Sequence, residues 1–109
     1  MCGIVGYYSN HPARYEQKLW ESARKHQFRG PDETTHYCHE GFSVVFNRLA
    51  IVSRHNGSQP LSNENGTVIS FANAEIYNHQ DLRTRYSAYF YQNDSDCAVI
   101  PTLYHCFGA

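Results

Sequence analysis

Two strand-like runs that meet at Glu40-Gly41 constrain the fold of this chain most strongly. Residues 34–39 and 42–52 are rich in β-branched and aromatic side chains. Apolar side chains alternate along the second run, at Phe42, Val44 and Phe46. Because such alternation is typical of a strand with one buried face, the two runs are predicted to pair as an antiparallel hairpin.

Other segments add strands and helices around this hairpin. Residues 3–8 and 67–72 are predicted to be strands, the latter after the hairpin-turn signal Asn65-Gly66. Apolar residues at every fourth position and the absence of Gly and Pro predict a helix over 13–27, and residues 78–86 and 95–107 are also predicted to be helical. Strands in the middle of the chain with helices on either side indicate an α+β fold.

The last predicted helix contains two residues that affect where it begins. Ser95 is expected to cap its first turn, because a serine hydroxyl can accept a free backbone N–H there. Pro101 lacks an N–H and is expected to kink this helix or to delay its start.

Length and charge limit the kind of protein. A chain of 109 residues, 41% of them hydrophobic, is predicted to form a single domain with one modest core. A net charge of -1 gives no reason to expect binding to nucleic acid or to anionic membrane surfaces, because both need concentrated basic residues. No apolar run approaches the ~20 residues of a membrane span and no basic leader is seen, so a soluble cytoplasmic protein is expected.

The cysteines are expected to be free thiols. None of the four lies in a CxxC pair, and an intracellular chain seldom depends on disulfides. His36, Cys38 and His39 form the only metal-like cluster, but no second ligand pair follows it. Solvated strand residues explain this cluster better, so no metal site is predicted; a thiol-based redox or metal protein remains the weakest hypothesis.

Cys2 is the first candidate for chemistry. If Met1 is removed, Cys2 carries both a thiol and a free α-amine. Such an amine titrates close to neutral pH and can accept the thiol proton, so that one residue supplies nucleophile and base. A cysteine at position 2 usually has no function, so the interpretation depends on the rest of the chain.

Further motifs accompany Cys2 along nearly the whole chain. In order they are MCGIVGYY, RGPD, RLAIV, GSQPL, NAEIYNHQDLR, SDCAVI and LY. The pattern resembles the class II glutamine amidotransferases, and RGPD makes it most similar to the glutaminase domain of the asparagine synthetase type. The resemblance implies the four-layer αββα sandwich of the N-terminal nucleophile hydrolases. Residues 1–109 would then be the N-terminal part of a type-2 glutamine amidotransferase domain.

The resemblance also implies catalytic roles. Cys2 would attack the carboxamide carbon of glutamine, with its own amine carrying the proton. The side-chain amide of Asn73 and the backbone N–H of Ala74 would donate to the oxyanion. Gln59 and Asn78 are expected to brace loops rather than to touch substrate.

Charged residues would hold the two ends of glutamine. By resemblance, Arg48 binds the α-carboxylate, while Glu75 and Asp96 bind the α-ammonium group. Taken singly, Arg48 could instead be an exposed partner of Glu40, Asp96 a carboxylate in the first turn of a helix, and Glu75 a surface acid. The pocket would be lined by the segment that follows Arg48, which consists of Leu49, Ala50, Ile51 and Val52.

The chain departs from the family pattern in several places. Ala74 stands where the family has glycine, which keeps the N–H donor but adds a methyl group that would be strained at positive φ. Polar or acidic residues are also replaced nearby, by Phe46, Ser53 and Ala98. The chain stops at Ala109, before the remaining strands of the sandwich, and three explanations stay open: a fragment, a separate subunit or a degenerate short form.

The leading hypothesis is therefore a glutaminase that supplies ammonia to an asparagine-synthetase-like, ATP-dependent amidation. The expected partners are glutamine and a synthetase domain or subunit, with self-association into a homo-oligomer left open. No cofactor is expected in this chain, since ATP and Mg²⁺ would belong to the synthetase. The alternative is a glutamine-binding or regulatory module that has lost turnover.

Overall fold

The computed structural model describes residues 1–51, 55–89 and 93–109, which contain both strands and α-helices and so confirm the α+β class. The chain divides into two compact units, Met1–Ala50 and Ile51–Ala109. Two such units can belong to one domain, and the assignment of residues 1–109 to a single domain stays a prediction.

A three-stranded antiparallel sheet forms the first unit. Its strands are β1 (Gly3–Tyr8), β2 (Glu33–His39) and β3 (Phe42–Arg48), in the order β1-β3-β2. The predicted hairpin is confirmed: His39 pairs with Phe42 across a turn of two residues. Both turn residues have positive φ, 45° at Glu40 and 82° at Gly41, which is the backbone that suits the twist of a tight hairpin.

Helix α1 (Glu16–Lys25) covers one face of this sheet. Its buried residues Leu19 and Ala23, one turn apart, pack against Val45 at the centre of β3. The predicted helix over 13–27 is too long at both ends, because separate 3-10 turns form at Pro12–Arg14 and Gln27–Arg29. On the other face of β3, Val44 and Phe46 are also buried, so β3 has no solvated face along this stretch.

The carboxylate of Glu16 joins α1 to the sheet. Glu16 accepts hydrogen bonds from the Tyr7 hydroxyl and from the indole N–H of Trp20, each at 3.0 Å. Loss of hydration and this bond to Glu16 raise the pKa of the Tyr7 hydroxyl above its ordinary value. Nε2 of His36 lies 2.8 Å from the Ser43 hydroxyl and 3.4 Å from Glu16.

The second unit contains a short hairpin and two helices. Strands β4 (Leu61–Ser62) and β5 (Ile69–Ser70) pair antiparallel, and helices α2 (His79–Arg85) and α3 (Val99–Phe107) follow. The turn at Asn65-Gly66 is confirmed, although the strand predicted over 67–72 has only two residues. The core of this unit consists of Leu61, Cys97 and Ala98, with Ala72, Ile76 and Ile100 packed around them.

The start of α3 corrects one expectation and confirms another. A 3-10 turn at Asp96–Ala98 precedes the helix, and the Ser95 side chain makes no capping hydrogen bond to it, so the predicted cap is wrong. Pro101 is the third residue of α3, where a backbone N–H has no partner within the helix, and the delayed start is therefore confirmed. The four-layer sandwich implied by resemblance stays a prediction.

Across the described residues, no α-helix combines the length and the apolar character that crossing a membrane requires.

Candidate active site

The sulfur of Cys2 lies against the end of strand β3. Cys2 precedes β1, and the pairing of Gly3 with Asn47 brings it beside the segment that leaves β3. The N–H of Leu49 donates to Sγ of Cys2 at 3.3 Å, and the Leu49 carbonyl lies 3.9 Å from the same sulfur. A backbone donor thus fixes the position of a half-buried thiol, and Met1, in front of it, is 72% exposed.

The RGPD motif contacts the backbone of Cys2 and the end of β3. Nε of Arg29 donates to the Cys2 carbonyl at 3.3 Å. The carboxylate of Asp32 accepts the N–H of Ala50 at 2.7 Å, and the N–H of Asp32 donates to the Arg48 carbonyl at 3.1 Å. Strand β3 therefore ends at Arg48 rather than at residue 52 as predicted, because the next two N–H groups donate to side chains, that of Leu49 to Cys2 and that of Ala50 to Asp32.

Gly30 allows the RGPD motif to lie close to the main chain at the end of β3. A Cβ at this position would overlap the backbone carbonyl of Asn47 and lie 2.7 Å from the carbonyl carbon of Arg48. Both neighbours are main chain in a buried strand, so they cannot move aside at low cost. In the sequence, RGPD serves only as a motif on which the resemblance rests. In the structure, Arg29, Gly30 and Asp32 hold Cys2 close to the residues that follow β3.

Arg48 is buried and already has an acidic neighbour. Its guanidinium lies 3.3 Å from Oε2 of Glu33, the residue directly opposite on β2. Only 6% of Arg48 is exposed, so the alternative interpretation as an exposed partner of Glu40 is wrong. Its predicted role in binding the carboxylate of glutamine stays a prediction.

The predicted lining segment is only partly described. The N–H groups of Leu49 and Ala50 are engaged within the protein, by Cys2 and Asp32 respectively, so neither is a spare donor for substrate. Ile51 is 73% exposed, and Val52 lies outside the described residues, as does Ser53. The role of this segment in binding glutamine stays a prediction.

In the second unit, a loop presents three candidate residues. Asn73, Ala74 and Glu75 are all exposed. On one side of them, the side-chain amide of Gln59 forms two bonds with the backbone of Ala72, at 2.7 and 2.8 Å. The expectation that Gln59 braces a loop is thus confirmed; Asn78 is exposed and directly precedes α2.

The other side of this loop is held by the SDC motif. Oδ2 of Asp96 accepts the N–H of Ile76 at 2.6 Å, and the Cys97 thiol donates to the Ala74 carbonyl at 3.4 Å. Asp96 is also the first residue of the 3-10 turn, where a carboxylate complements the free N–H groups. The structure thus brings Asp96 to the Asn73–Glu75 loop, while its predicted contact with an ammonium group stays a prediction.

Ala74 does not have a positive φ. An alanine in place of glycine would be strained only at such a φ, so the backbone of Ala74 lacks this strain. Within residues 1–51, 55–89 and 93–109, Glu40 is the one residue other than glycine with positive φ. The Ala74 methyl group therefore belongs to an exposed residue with an ordinary backbone.

The potential metal ligands His36, Cys38 and His39 do not come together as a group of three. Cys38 and His39 are exposed, and no group of three or more potential ligands is found in the part of the chain that the structure describes. Nε2 of His36 has Ser43 and Glu16 as neighbours, which is the environment of a strand histidine hydrogen-bonded across the sheet.

Comparison with known proteins agrees with the motifs. A family model described as a glutamine amidotransferase domain matches residues 1–109. The chain is 39% identical over 111 residues to the glutamine-hydrolyzing asparagine synthetase of Zea mays, covering 99% of this chain and 19% of that protein. It is 38% identical over 107 residues to asparagine synthetase B of Escherichia coli, covering 95% and 19% respectively. The chain spans about a fifth of the length of these relatives, and on the family match it belongs to the glutamine amidotransferase domain family.

Proposed function

We propose that this chain hydrolyses glutamine to glutamate and ammonia with Cys2 as the nucleophile. The observation that carries the proposal is the thiol of Cys2, held by the Leu49 N–H at 3.3 Å beside the end of β3. Removal of Met1, expected because the residue that follows it is small, would release the α-amine that the chemistry needs.

The proposed reaction uses groups of the protein and one water molecule. The α-amine of Cys2 takes the thiol proton as Sγ attacks the carboxamide carbon of glutamine. The side-chain amide of Asn73 and the backbone N–H of Ala74 donate to the oxyanion. The C–N bond then breaks as the protonated amine gives its proton to the leaving nitrogen, which departs as ammonia. Water, deprotonated by the same amine, attacks the thioester and releases glutamate and the thiol.

Recognition of a free amino acid needs opposite charges at its two ends. The proposal assigns the α-carboxylate of glutamine to Arg48, whose planar guanidinium is oriented by Glu33 on the neighbouring strand. The α-ammonium group is assigned to Glu75 and Asp96. The bond from Ile76 to Oδ2 of Asp96 supports this role, because it fixes the carboxylate before substrate arrives.

The wider setting is also a proposal. The ammonia would be used by a synthetase domain or subunit, since the relatives are named glutamine-hydrolyzing asparagine synthetases. We assign an ATP-dependent amidation to that synthetase. ATP and Mg²⁺ are assigned to that synthetase and no cofactor to this chain, because its nucleophile, base and oxyanion donors are all protein groups. We assign the fold to the αββα sandwich, supported by the burial of β3 on both faces, and the location to the cytoplasm.

Ala74 motivates a second candidate, a glutamine-binding module without turnover. The two functions are separated by incubating the mature chain with glutamine and measuring both products. The enzyme releases glutamate and ammonia in equal amounts, whereas the binding module shows glutamine-dependent protection against unfolding and no products. A mature protein that retains Met1 would contradict the amine-assisted mechanism.

Ala74→Gly is expected to change kcat by less than about threefold. The backbone at this position has no positive φ to relieve, and the N–H donor is the same in both variants. Glycine should lower the free energy of unfolding by about 0.4–1 kcal/mol, because it gives the unfolded chain more conformational freedom. Steady-state kinetics with urea titration of both proteins tests this, and a gain in kcat of about tenfold or more would favour the impaired module.

A further inference from the structure

Arg83 of helix α2 holds the segment that leads into Asp96. Its Nη2 donates to the carbonyl of Asn93 and to that of Ser95, both at 2.7 Å. Arg83 and Asn93 are half-buried and Ser95 is buried, so both bonds are partly shielded from water. Because a charged donor forms stronger hydrogen bonds than a neutral one, the two carbonyls are held in one arrangement.

The carbonyl of Ser95 has a second function in the backbone. It accepts the N–H of Ala98 at 3.1 Å and so begins the 3-10 turn that carries Asp96. The N–H of Ser95 in turn donates to the side chain of Asn93 at 2.8 Å. The position of the Asp96 carboxylate therefore depends on where Arg83 holds Ser95.

We propose that Arg83 is a positioning residue for the α-ammonium group of glutamine, an inference that rests on the proposed function. It does not touch substrate; it acts by keeping Asp96 in place, with Oδ2 on the N–H of Ile76 at 2.6 Å. A carboxylate fixed in advance loses less conformational freedom when it binds a ligand, so its affinity is higher. Arg83 is the last residue of the NAEIYNHQDLR motif, and the proposal gives it the role of positioning Asp96.

Variants of Arg83 with similar aliphatic stems isolate its hydrogen bonds. Arg83→Met is expected to raise the KM for glutamine about tenfold with kcat changed by less than about threefold, since the interaction lost is made in ground and transition states alike. Arg83→Lys should recover most of this loss, because one nitrogen makes both bonds in the structure. Arg85→Met, which removes the same charge from an exposed residue of the same helix, should leave KM unchanged.

Amide hydrogen exchange gives a readout that does not need activity. Exchange at the Ile76 N–H should become about tenfold faster in Arg83→Met and stay near that of the unmodified chain in Arg83→Lys, while exchange at Val45 in β3 is unchanged. If Arg83→Met lost protection throughout residues 55–109, Arg83→Gln would replace it, with the same expected rise in KM and in Ile76 exchange.

Two results would overturn the inference. The first is that Arg83→Met and Arg83→Lys have equal KM values for glutamine and equal exchange rates at the Ile76 N–H. The second is that Arg83→Met lowers kcat without raising KM, because a smaller folded fraction produces that result. If the unmodified chain released no glutamate, the proposed function would fail by itself. Exchange at Ile76 would then decide whether Arg83 positions Asp96.

Discussion

Cys2→Ala is expected to reduce glutamine hydrolysis by at least about 10³-fold while leaving glutamine binding largely intact. The variant lacks the nucleophile that attacks glutamine, and neither the α-amine nor bound water replaces a thiol that forms a covalent intermediate. The groups assigned to the two ends of glutamine are untouched. Release of glutamate measures the first effect, and glutamine-dependent protection against thermal unfolding measures the second.

Cys38→Ala is the matched control for this variant. Cys38 is an exposed thiol on β2, has no role in the proposed reaction, and its removal should leave turnover unchanged. Equal activity in Cys2→Ala and the unmodified chain would show that Cys2 is not the nucleophile. A loss of binding together with turnover would instead mean that Cys2 is needed to form the site.

Gly30→Ala is expected to lower the free energy of unfolding by about 3 kcal/mol and the melting temperature by roughly 10–20 °C. The new Cβ would overlap main-chain atoms of Asn47 and Arg48, so the RGPD segment has to move away from the end of β3. That movement also displaces the Leu49 N–H from the Cys2 thiol. Because a misplacement of about 1 Å can cost 10²-fold in rate, kcat/KM should fall by a similar factor even well below the melting temperature.

Gly66→Ala serves as the control for this substitution. Gly66 has a φ of 68°, and a Cβ added there would meet no atom within 4 Å. The substitution therefore adds only backbone strain, of about 1–2 kcal/mol. Its turnover at low temperature should match that of the unmodified chain. If Gly30→Ala were as active as Gly66→Ala, the contact of RGPD with β3 would not position the nucleophile.

Local patterns in the sequence are enough to predict most elements. Residues close together in the sequence determine the hairpin at Glu40-Gly41 and the helices predicted over 78–86 and 95–107. All three elements are confirmed. Their ends are less predictable, because β3 stops where Asp32 binds the N–H of Ala50, a contact between residues 18 positions apart. Sequence periodicity carries no information about such contacts.

The partner of Arg48 shows a signal that the sequence contains but that periodicity does not reveal. A turn of two residues at Glu40-Gly41 sets the register of the hairpin, and this register places Glu33 opposite Arg48. Nearness in the sequence suggests Glu40 instead. The bonds of Arg83 and Cys97 have no comparable signal, since they depend on how α2 and the 3-10 turn pack against loops.

The central claim is that Cys2 is the nucleophile of a glutamine site, and labelling of the mature chain with a glutamine-like diazo-ketone tests it most directly. The electrophile should add once, to Cys2 of a chain that lacks Met1, and excess glutamine should prevent the reaction. Mass spectrometry of the digested protein assigns the modified residue among the four cysteines. Labelling spread evenly over Cys2, Cys38, Cys97 and Cys106, with no protection by glutamine, would contradict the account.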